Sequence, residues 1–262
     1  MNRIRGKTAI VTGATAGIGE ATARSLADAG VHTVLIGRRS DRLESLAADI
    51  AGRSGTEVRT RVLDVRDRAG VIAFAHWLER EGVTVDILIN NAGLSRGLDT
   101  VQEGTHDDWD DMIDTNIKGL LNVTRALLPG MIARDSGHVV NLGSIAGHMV
   151  YPKGNVYCAT KYAVRALTEA INIDLIGTRV RMSSVDPGMV ETEFSLVRFR
   201  GDAQRAATVY EGVDSLMPED IADAILFVLN TRPRMNVLNM LVMPTVQRSP
   251  FVMDREPVGG GQ

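Results

Sequence analysis

The stretch Thr8–Gly19, TAIVTGATAGIG, contains the pattern that decides the fold. Its first five residues are apolar or β-branched, which favours a buried strand. Glycines follow at positions 13, 17 and 19, and glycine lets a backbone turn sharply and come close to a ligand. A helix that begins at such a turn offers free N–H groups and a positive dipole end to a phosphate. Because the spacing is Gly-x3-Gly-x-Gly rather than the usual Gly-x-Gly-x2-Gly, a plain tight turn is the alternative.

Strand-like and helix-like segments alternate along the rest of the chain. Apolar runs such as Thr33–Gly37 (TVLIG) and Val85–Asn90 (VDILIN) are nearly continuous, which is typical of parallel strands covered by helices on both faces. The alternation continues from about residue 7 to about residue 244 without a linker. We therefore predict a single, doubly wound α/β domain over residues 1–245, with a parallel sheet of six or seven strands.

Four further details of this organisation are predicted. One long helix is predicted over about residues 107–133, and Asp41 and Glu44 are spaced to form a capping box at the start of another. After the sixth predicted strand, residues 191–217 carry no strand signal, and we predict a substrate lid there, beside the ligand crevice. Residues 246–262 are expected to form an extended tail.

The composition is that of an ordinary globular protein. Of the 262 residues, 44% are hydrophobic and 23% are charged, and the formal net charge of -3 gives no reason to expect nucleic acid or a membrane as a partner. The one cysteine, Cys158, excludes an internal disulfide framework and a cysteine-rich metal site. No apolar run reaches the roughly 18 residues of a spanning helix, and the first residues lack the features of a signal peptide. We therefore expect a cytoplasmic protein.

Two arginines after the second predicted strand indicate which dinucleotide binds. Folds that prefer NAD usually place an acidic residue there, about 20 residues after the glycine turn, to bind the ribose 2′-hydroxyl. This chain has Arg38 and Arg39 instead, and guanidinium groups suit a 2′-phosphate. We predict NADP(H) as the cofactor, with Arg38 as the primary contact. A solvated basic loop before a helix is the alternative.

Two further loops follow predicted strands. The first, Asp64-Val65, comes after the third predicted strand and is placed to flank the adenine. The second comes after the fourth strand, where small residues let the chain pass beneath the cofactor while amides tie neighbouring loops together; an ordinary turn is the alternative. The cofactor contacts predicted at all these turns are Gly13, Thr15, Gly17, Ile18, Gly19, Arg38, Arg39, Asp64, Val65, Asn91, Ala92 and Gly93.

Tyr157 and Lys161 lie four residues apart at the start of a predicted helix, so they share one face. A free phenol has a pKa of about 10, and a neighbouring ammonium favours the phenolate, which suits proton exchange with an alcohol. Tyr-x3-Lys alone is more often a chance pair on a helix. Ser144 strengthens the case, because it follows the fifth predicted strand at the same sheet edge and its hydroxyl is placed to hold a substrate oxygen.

Other kinds of catalytic site fit less well. The sequence around Ser144, LGSIA over Leu142–Ala146, lacks the Gly-x-Ser-x-Gly elbow of a hydrolase. The five histidines show no metal-ligand spacing, so no metal site is predicted. His148 lies near the proposed pocket, and we interpret it as a surface or core residue without a catalytic role.

Taken together, the motifs resemble the short-chain dehydrogenase/reductase family, whose fold is of the Rossmann type. They lie in the family's order and spacing across about residues 6–245, nearly the whole chain. The matching pieces are Thr12-Gly-x3-Gly-Ile-Gly19, Asn90-Asn-Ala-Gly93, Asn116, Ser144, Tyr157-x3-Lys161 and Pro187-Gly188.

The resemblance implies a role for each matching residue. Tyr157 is the general acid/base, Lys161 lowers its pKa and binds the nicotinamide ribose, and Ser144 orients the substrate oxygen. Asn116 holds a water in a proton relay. The family often carries a basic residue before the second glycine in NADP enzymes; here that position is Ala16. The resemblance also implies a homotetramer, and contacts to the nicotinamide and its phosphate from Pro187, Gly188, Val190 and Thr192.

The second half of the chain resembles one branch of this family, which contains serine and 3-hydroxy acid dehydrogenases. The matching stretches are Glu193–Asp202 (EFSLVRFRGD) and Leu241–Thr245 (LVMPT). The branch implies small anionic substrates: serine, L-allo-threonine, 3-hydroxypropionate or malonic semialdehyde, and sulfoacetaldehyde. Arg198, in the predicted lid, is suited to bind a carboxylate or sulfonate, and Tyr151 to donate a second hydrogen bond. A solvated arginine on the lid is the alternative.

Two other functions stay open. One is the same chemistry on a different carbonyl, such as a 3-oxoacyl thioester, a sugar or a secondary-metabolite aldehyde. The other is a catalytically silent dinucleotide-binding or regulatory protein. The presence of Ser144, Tyr157 and Lys161 together argues against the silent protein.

Overall fold

Seven strands, all parallel, form one sheet at the centre of the computed structural model, which describes residues 2–255. Most are rich in valine, isoleucine and leucine, as expected for strands that are covered on both faces. The strands are β1 (Thr8–Thr12), β2 (His32–Gly37), β3 (Val58–Val62), β4 (Ile87–Asn90), β5 (Gly137–Leu142), β6 (Val180–Pro187) and β7 (Asn239–Val242).

The spatial order of the strands is β3-β2-β1-β4-β5-β6-β7. The chain starts in the interior of the sheet, moves outward through β2 and β3, and then returns to the other side of β1 with β4. This reversal leaves a crevice at the carboxyl ends of β1 and β4, where ligands bind in doubly wound sheets. The predicted Rossmann-type α/β fold is therefore confirmed.

Helices cover both faces of the sheet and divide the core into two layers. Ala9 and Val11 belong to one apolar cluster and Ile10 to the other, because successive side chains of a strand point to opposite faces. The helices are α1 (Gly17–Asp28), α2 (Ser40–Ser54), α3 (Arg68–Arg80), α4 (His106–Ile113), α5 (Leu120–Ala133), α6 (Asn155–Asp174), α7 (Phe194–Arg198), α8 (Ala203–Thr208) and α9 (Pro218–Leu229).

The long helix predicted over residues 107–133 is interrupted. A π-helical turn, Asp114–Gly119, separates α4 from α5. Asn116 lies in this turn, and its side chain hydrogen-bonds the backbone of Leu94. The hydrophobic periodicity of the sequence continues across the turn, so local sequence carries no sign of the interruption.

The capping box predicted from Asp41 and Glu44 is wrong. Helix α2 begins at Ser40, and its N-cap residue, Arg39, forms no side-chain capping hydrogen bond. The Ser40 hydroxyl donates instead to Glu44 Oε1 at 2.9 Å. Since the helix begins at Ser40, Asp41 already lies inside the first turn.

Strand β3 is less buried than the central strands. All five of its residues are at least partly exposed, because β3 is the edge of the sheet. The Arg61 guanidinium of this strand stacks on the Trp77 ring, 3.8 Å from its centroid. Arginine stems therefore cover apolar surface at this edge.

The segment 191–217 forms α7 and α8 beside the sheet, and Val190 and Leu216 at its ends pair in a short parallel bridge. The structure differs from the extended tail expected after it. Gln247 is only 4% exposed, and its side-chain oxygen accepts from the Met189 N–H at 2.9 Å, so residues 246–255 are anchored to the domain. The rest of that prediction, residues 256–262, lies outside the described residues. No helix within residues 2–255 is long and apolar enough to cross a membrane.

Candidate active site

A cavity of about 500 Å³ opens at the carboxyl ends of the strands. Residues that follow each of the first six strands line it, together with part of the segment 191–217. Of the residues predicted to bind cofactor or substrate or to catalyse, all but Gly19 and Asn116 lie in its wall. The structure thus brings together residues from positions 13 to 198 of the chain.

The glycine turn between β1 and α1 forms one wall of the cavity. Gly13 and Gly17 have φ values of +66° and +53°, which side chains other than glycine rarely adopt. A Cβ on Gly13 would lie 3.0 Å from Ala92 Cα. A Cβ on Gly19 would lie 2.4 Å from the Gly13 carbonyl oxygen, so Gly19 lets α1 pack on the turn rather than facing the cavity.

The loop after β4 is locked to this turn, as the sequence predicted. Asn91 Nδ2 donates to the carbonyl oxygens of Thr12 at 2.8 Å and of Gly13 at 3.1 Å. The Thr12 hydroxyl accepts from the backbone N–H groups of Asn91 and Ala92, both at 3.0 Å. Backbone can therefore approach a ligand closely here, and the narrow glycine-lined wall fits a dinucleotide pyrophosphate.

The two predicted phosphate-binding arginines differ in their surroundings. Arg38 has a side chain that is 57% exposed, and its nearest carboxylate oxygen, on Asp64, is 3.9 Å away. Arg39 is held by Thr15 and forms an ion pair with Glu193 at 3.0 Å. Arg42, which the sequence analysis missed, pairs with the same carboxylate at 2.6 Å. Arg38 and Arg39 therefore lie in the cavity wall beyond β2, and Arg42 shares the Glu193 carboxylate with Arg39.

Tyr157 and Ser144 lie together at the other end of the cavity. Burial raises the pKa of the Tyr157 phenol above its usual value, and the neighbouring Ser144 hydroxyl acts in the opposite direction. Lys161 Nζ lies 5.9 Å from the Tyr157 ring centroid and donates to the Leu142 carbonyl oxygen at 2.8 Å. The family resemblance implies that Lys161 lowers the pKa of Tyr157. In this structure desolvation disfavours the phenolate, so Lys161 alone does not bring the pKa of Tyr157 below its usual value.

Burial acts on Lys161 as well. It lowers the pKa of the Lys161 ammonium to about 8, while the buried carboxylate of Asp186 acts in the opposite direction. Lys161 therefore remains mostly protonated near pH 7. An increase in pH from 7 to 9 would therefore remove the proton from most Lys161 side chains.

Asn116 does not reach the cavity wall. Its Oδ1 accepts from the Leu94 N–H at 2.8 Å, and its Nδ2 donates to the Leu94 carbonyl at 2.8 Å and to the Thr160 hydroxyl at 3.0 Å. The side chain thus fixes the loop after β4 against α6. Its function in a proton relay stays a prediction.

Arg198 lies at the end of α7 and reaches Tyr157. Its guanidinium carbon is 5.4 Å from the Tyr157 ring centroid. Its Nε donates to the Ser95 hydroxyl at 3.0 Å, and its Nη2 donates to the Tyr151 hydroxyl. Ser95 was not found from the sequence, because nothing in its local pattern distinguishes it from a loop serine.

Phe194, at the start of α7, packs beside Tyr157, with 5.6 Å between the two ring centroids. The segment 191–217 therefore contributes a positive charge and an aromatic ring to the cavity. A lid was predicted over this segment, and its motion stays a prediction.

His148 lies behind the site rather than in it. Its Nε2 is 2.5 Å from Asp186 Oδ2, and the Asp186 side chain is 1% exposed. A Cβ on Gly143 would lie 1.8 Å from Asp186 Oδ1, so this carboxylate packs directly against the backbone before Ser144. Within residues 2–255, no three His, Cys, Asp or Glu side chains are grouped as metal ligands would be.

Comparison with known proteins agrees with this geometry. The profile of the short chain dehydrogenase family matches residues 7–201. The chain is 44% identical over 239 residues to the NADP-dependent 3-hydroxy acid dehydrogenase YdfG of Salmonella typhi, which covers 91% of this chain and 95% of that protein. It is 43% identical over 248 residues to the NADP-dependent 3-hydroxy acid dehydrogenase of Schizosaccharomyces pombe, with 94% and 96% covered.

A solved structure of similar fold is the closed form of serine dehydrogenase complexed with NADP+. It superposes with a TM-score of 0.88 at 41% sequence identity and covers 92% of this chain and 96% of its own. With this agreement of motifs, fold and relatives, the chain belongs to the short-chain dehydrogenase family and is an NADP-dependent enzyme.

Proposed function

We propose that the enzyme interconverts a small anionic alcohol and its aldehyde or ketone. The substrate class is that of 3-hydroxy acids and close analogues: serine, allo-threonine, 3-hydroxypropionate with malonic semialdehyde, or isethionate with sulfoacetaldehyde. The observation that carries this proposal is that the charge of Arg198 is not neutralised by a carboxylate. Within the part of the chain that the structure describes, Arg198 is partly buried and pairs with no carboxylate.

Two other arginines, one in the loop after β4 and one in the cavity wall, already pair with carboxylates at hydrogen-bond distance. Arg96 pairs with Asp111 at 3.1 Å, and Arg39 pairs with Glu193 at 3.0 Å. A guanidinium group has five N–H donors, and the contacts of Arg198 to Ser95 and Tyr151 engage only two of its nitrogens. The remaining donors are suited to a carboxylate or sulfonate beside the catalytic tyrosine.

The cofactor phosphates are assigned to the side of the cavity opposite Arg198. The glycine turn holds the pyrophosphate, Arg38 and Arg39 hold the 2′-phosphate, and Asp64 and Val65 flank the adenine. Lys161 binds the nicotinamide ribose. Nicotinamide contacts come from Pro187, Gly188, Val190 and Thr192, which lie together in the cavity wall after β6.

The protein supplies proton transfer, orientation and exclusion of water. NADP(H), when bound, accepts or delivers the hydride. In reduction, the Ser144 hydroxyl donates a hydrogen bond to the carbonyl oxygen, and Tyr157 transfers its phenolic proton to that oxygen. In oxidation the Tyr157 phenolate accepts the proton of the alcohol. The charged Lys161 favours that phenolate, and Phe194 covers the tyrosine ring.

Replacing Arg198 with Ala tests the substrate class. Because hydrogen bonds to charged groups contribute about 1.5–3 kcal/mol, the KM for 3-hydroxypropionate should rise about 10- to 100-fold. The KM for 1-propanol, a neutral alcohol of similar size, should change little. The measurement is steady-state kinetics with NADP+ for both alcohols.

Arg200→Ala is the matched control. Arg200 lies two residues further along the same segment, is exposed, and pairs with Asp108 outside the cavity. It should leave both KM values unchanged. Equal changes for the acid and the neutral alcohol in Arg198→Ala would refute the anion site and favour a different carbonyl substrate, such as a 3-oxoacyl thioester.

We also propose that the enzyme works in the cytoplasm as a homotetramer. The family resemblance is the main support. Exposed apolar side chains on two helices add to it: Ile173 on α6 is 70% exposed and Phe227 on α9 is 56% exposed, and such residues often lie in interfaces. Light scattering coupled to size-exclusion chromatography measures the assembly, and a monomer would contradict the proposal.

A further inference from the structure

Glu193 lies where the segment 191–217 meets the phosphate end of the cavity, one residue before α7. Its Oε1 accepts from Arg42 Nη1 at 2.6 Å and its Oε2 from Arg39 Nη1 at 3.0 Å. The hydrogen bond from Arg42 lowers the pKa of the Glu193 carboxyl, and the one from Arg39 adds to this. Glu193 is therefore an anion placed among the guanidinium groups of the 2′-phosphate site.

The orientation of Arg39 does not depend on Glu193. Arg39 Nε and Nη2 donate to the Thr15 hydroxyl at 3.2 and 3.0 Å, and Nη2 also donates to the Thr15 carbonyl at 3.1 Å. Thr15 belongs to the glycine turn and packs closely on Gly37, where a Cβ would lie 2.6 Å from its methyl carbon. Arg39 is thus fixed from the turn, on the side away from Glu193.

A carboxylate at this place opposes the binding of a phosphate dianion. A phosphate that receives hydrogen bonds from Arg39 would compete with Glu193 for the guanidinium and would repel it at short range. Glu193 is accessible enough to move, since its side chain is 39% exposed. A nucleotide with a free 2′-hydroxyl neither competes with Glu193 for the Arg39 guanidinium nor repels the Glu193 carboxylate.

We propose that Glu193 is an exchangeable counter-ion of the 2′-phosphate site. It neutralises Arg39 and Arg42, the 2′-phosphate of the cofactor displaces it from Arg39, and it thereby lowers the affinity for 2′-phosphorylated nucleotides selectively. The inference rests on the 2′-phosphate contacts proposed above for Arg38 and Arg39.

Displacement has a consequence for the substrate side of the cavity. Glu193 is the residue immediately before α7, and its ion pair with Arg42 connects this end of α7 to α2. Helix α7 carries Phe194 at its start and Arg198 at its end. The two proposed anion sites, for the 2′-phosphate and for the substrate, are therefore joined by one helix of five residues. Release of Glu193 frees the end of that helix nearer the cofactor.

The test compares two nucleotides that lack the nicotinamide. Adenosine 2′,5′-bisphosphate carries the 2′-phosphate and 5′-AMP does not, and their Kd values are measured by calorimetry on the full-length protein. Glu193→Gln should lower the Kd for the bisphosphate about three- to tenfold, with a smaller gain at high salt, because it removes a screened charge. The Kd for 5′-AMP should stay within about twofold of its original value.

Two further variants separate the possible results. Glu191→Gln makes the same change in net charge at an exposed residue two positions away, and it should leave both Kd values unchanged. An unchanged or higher Kd for the bisphosphate in Glu193→Gln would overturn the counter-ion assignment. Arg38→Ala reports on the site itself: if the preference for the bisphosphate over 5′-AMP survives it, the Arg38 contact is wrong, whichever way Glu193→Gln behaves.

Discussion

Tyr157 illustrates how a residue acquires its function from its neighbours. Burial raises the pKa of its phenol, and Tyr151 adds to this; Arg198 and the Ser144 hydroxyl lower it. An isolated buried tyrosine would be a poor base. The proton transfer proposed for Tyr157 therefore depends on the charged and polar groups around its hydroxyl.

Replacing Tyr157 with Phe removes only this hydroxyl. We expect kcat to fall by at least about a hundredfold, the usual contribution of a positioned acid or base. The Kd for NADPH, measured by fluorescence titration, should change little because the ring and its packing against Phe194 remain. Turnover at the original rate would rule out Tyr157 as the acid/base.

The pKa of Lys161 predicts a pH dependence. Burial lowers it to about 8, so the ammonium is charged below this pH and loses its proton above it. Tyr157, whose pKa is raised, is protonated over the same range. For carbonyl reduction, kcat/KM should therefore be constant below about pH 7 and should fall as the pH rises through about 8.

Asp186→Asn should move this alkaline limb to lower pH. The Asp186 carboxylate raises the pKa of Lys161, and its neutral analogue cannot. His148→Gln is the control, since it changes the partner of Asp186 and keeps the carboxylate. The pH profile of kcat/KM decides the matter: a limb that stays in place, or moves to higher pH, would contradict the assigned influence of Asp186 on Lys161.

Most site residues could be predicted because each carries a local signal at a strand end. The glycines of the first turn, the two arginines after β2 and the Tyr-x3-Lys pair are examples. Glu193 and Arg42 could not be predicted as partners, because 151 positions separate them in the sequence. The contact between Asp186 and His148 was missed for the same reason, because it exists only once β6 lies beside the loop after β5.

At the scale of elements, strands were easier to predict than helix interruptions. Continuous apolar runs identified the central strands, since burial on both faces leaves little room for polar residues. The π-helical turn Asp114–Gly119 has no such signature. It is fixed by tertiary contacts, in which Asn116 bonds to the loop after β4 and Gly119 lies against Val65, where a Cβ would be 2.5 Å from a methyl carbon.

The lock between the β1 turn and the β4 loop is a second element-scale feature. Four hydrogen bonds join Thr12 and Gly13 of the first turn to Asn91 and Ala92 of the second loop. These two strands are adjacent in the sheet, on either side of the point where the strand order reverses. The wall of the crevice is thereby rigid before a ligand arrives, which reduces the entropy lost on binding.

For the whole molecule, the cavity connects parts of the chain that are far apart in sequence. Its wall includes residues that follow each of the first six strands, and Gln247 from beyond β7. A cofactor in this cavity contacts both halves of the doubly wound sheet. Binding should therefore stabilise the folded domain as a unit, and the melting temperature reports on cofactor preference.

A ligand that binds only the folded state adds RT ln(1 + [L]/Kd), or about 2.7 kcal/mol at 100 times its Kd. NADPH should therefore raise the Tm by several degrees, and NADH at the same concentration should raise it less. In Arg38→Asp this order should reverse, because the carboxylate repels a 2′-phosphate and accepts a hydrogen bond from a 2′-hydroxyl. Arg68→Asp makes the same charge change at an exposed residue outside the cavity and should keep the original order. If Arg38→Asp also keeps that order in thermal-shift measurements, the 2′-phosphate is held by the other arginines and not by Arg38.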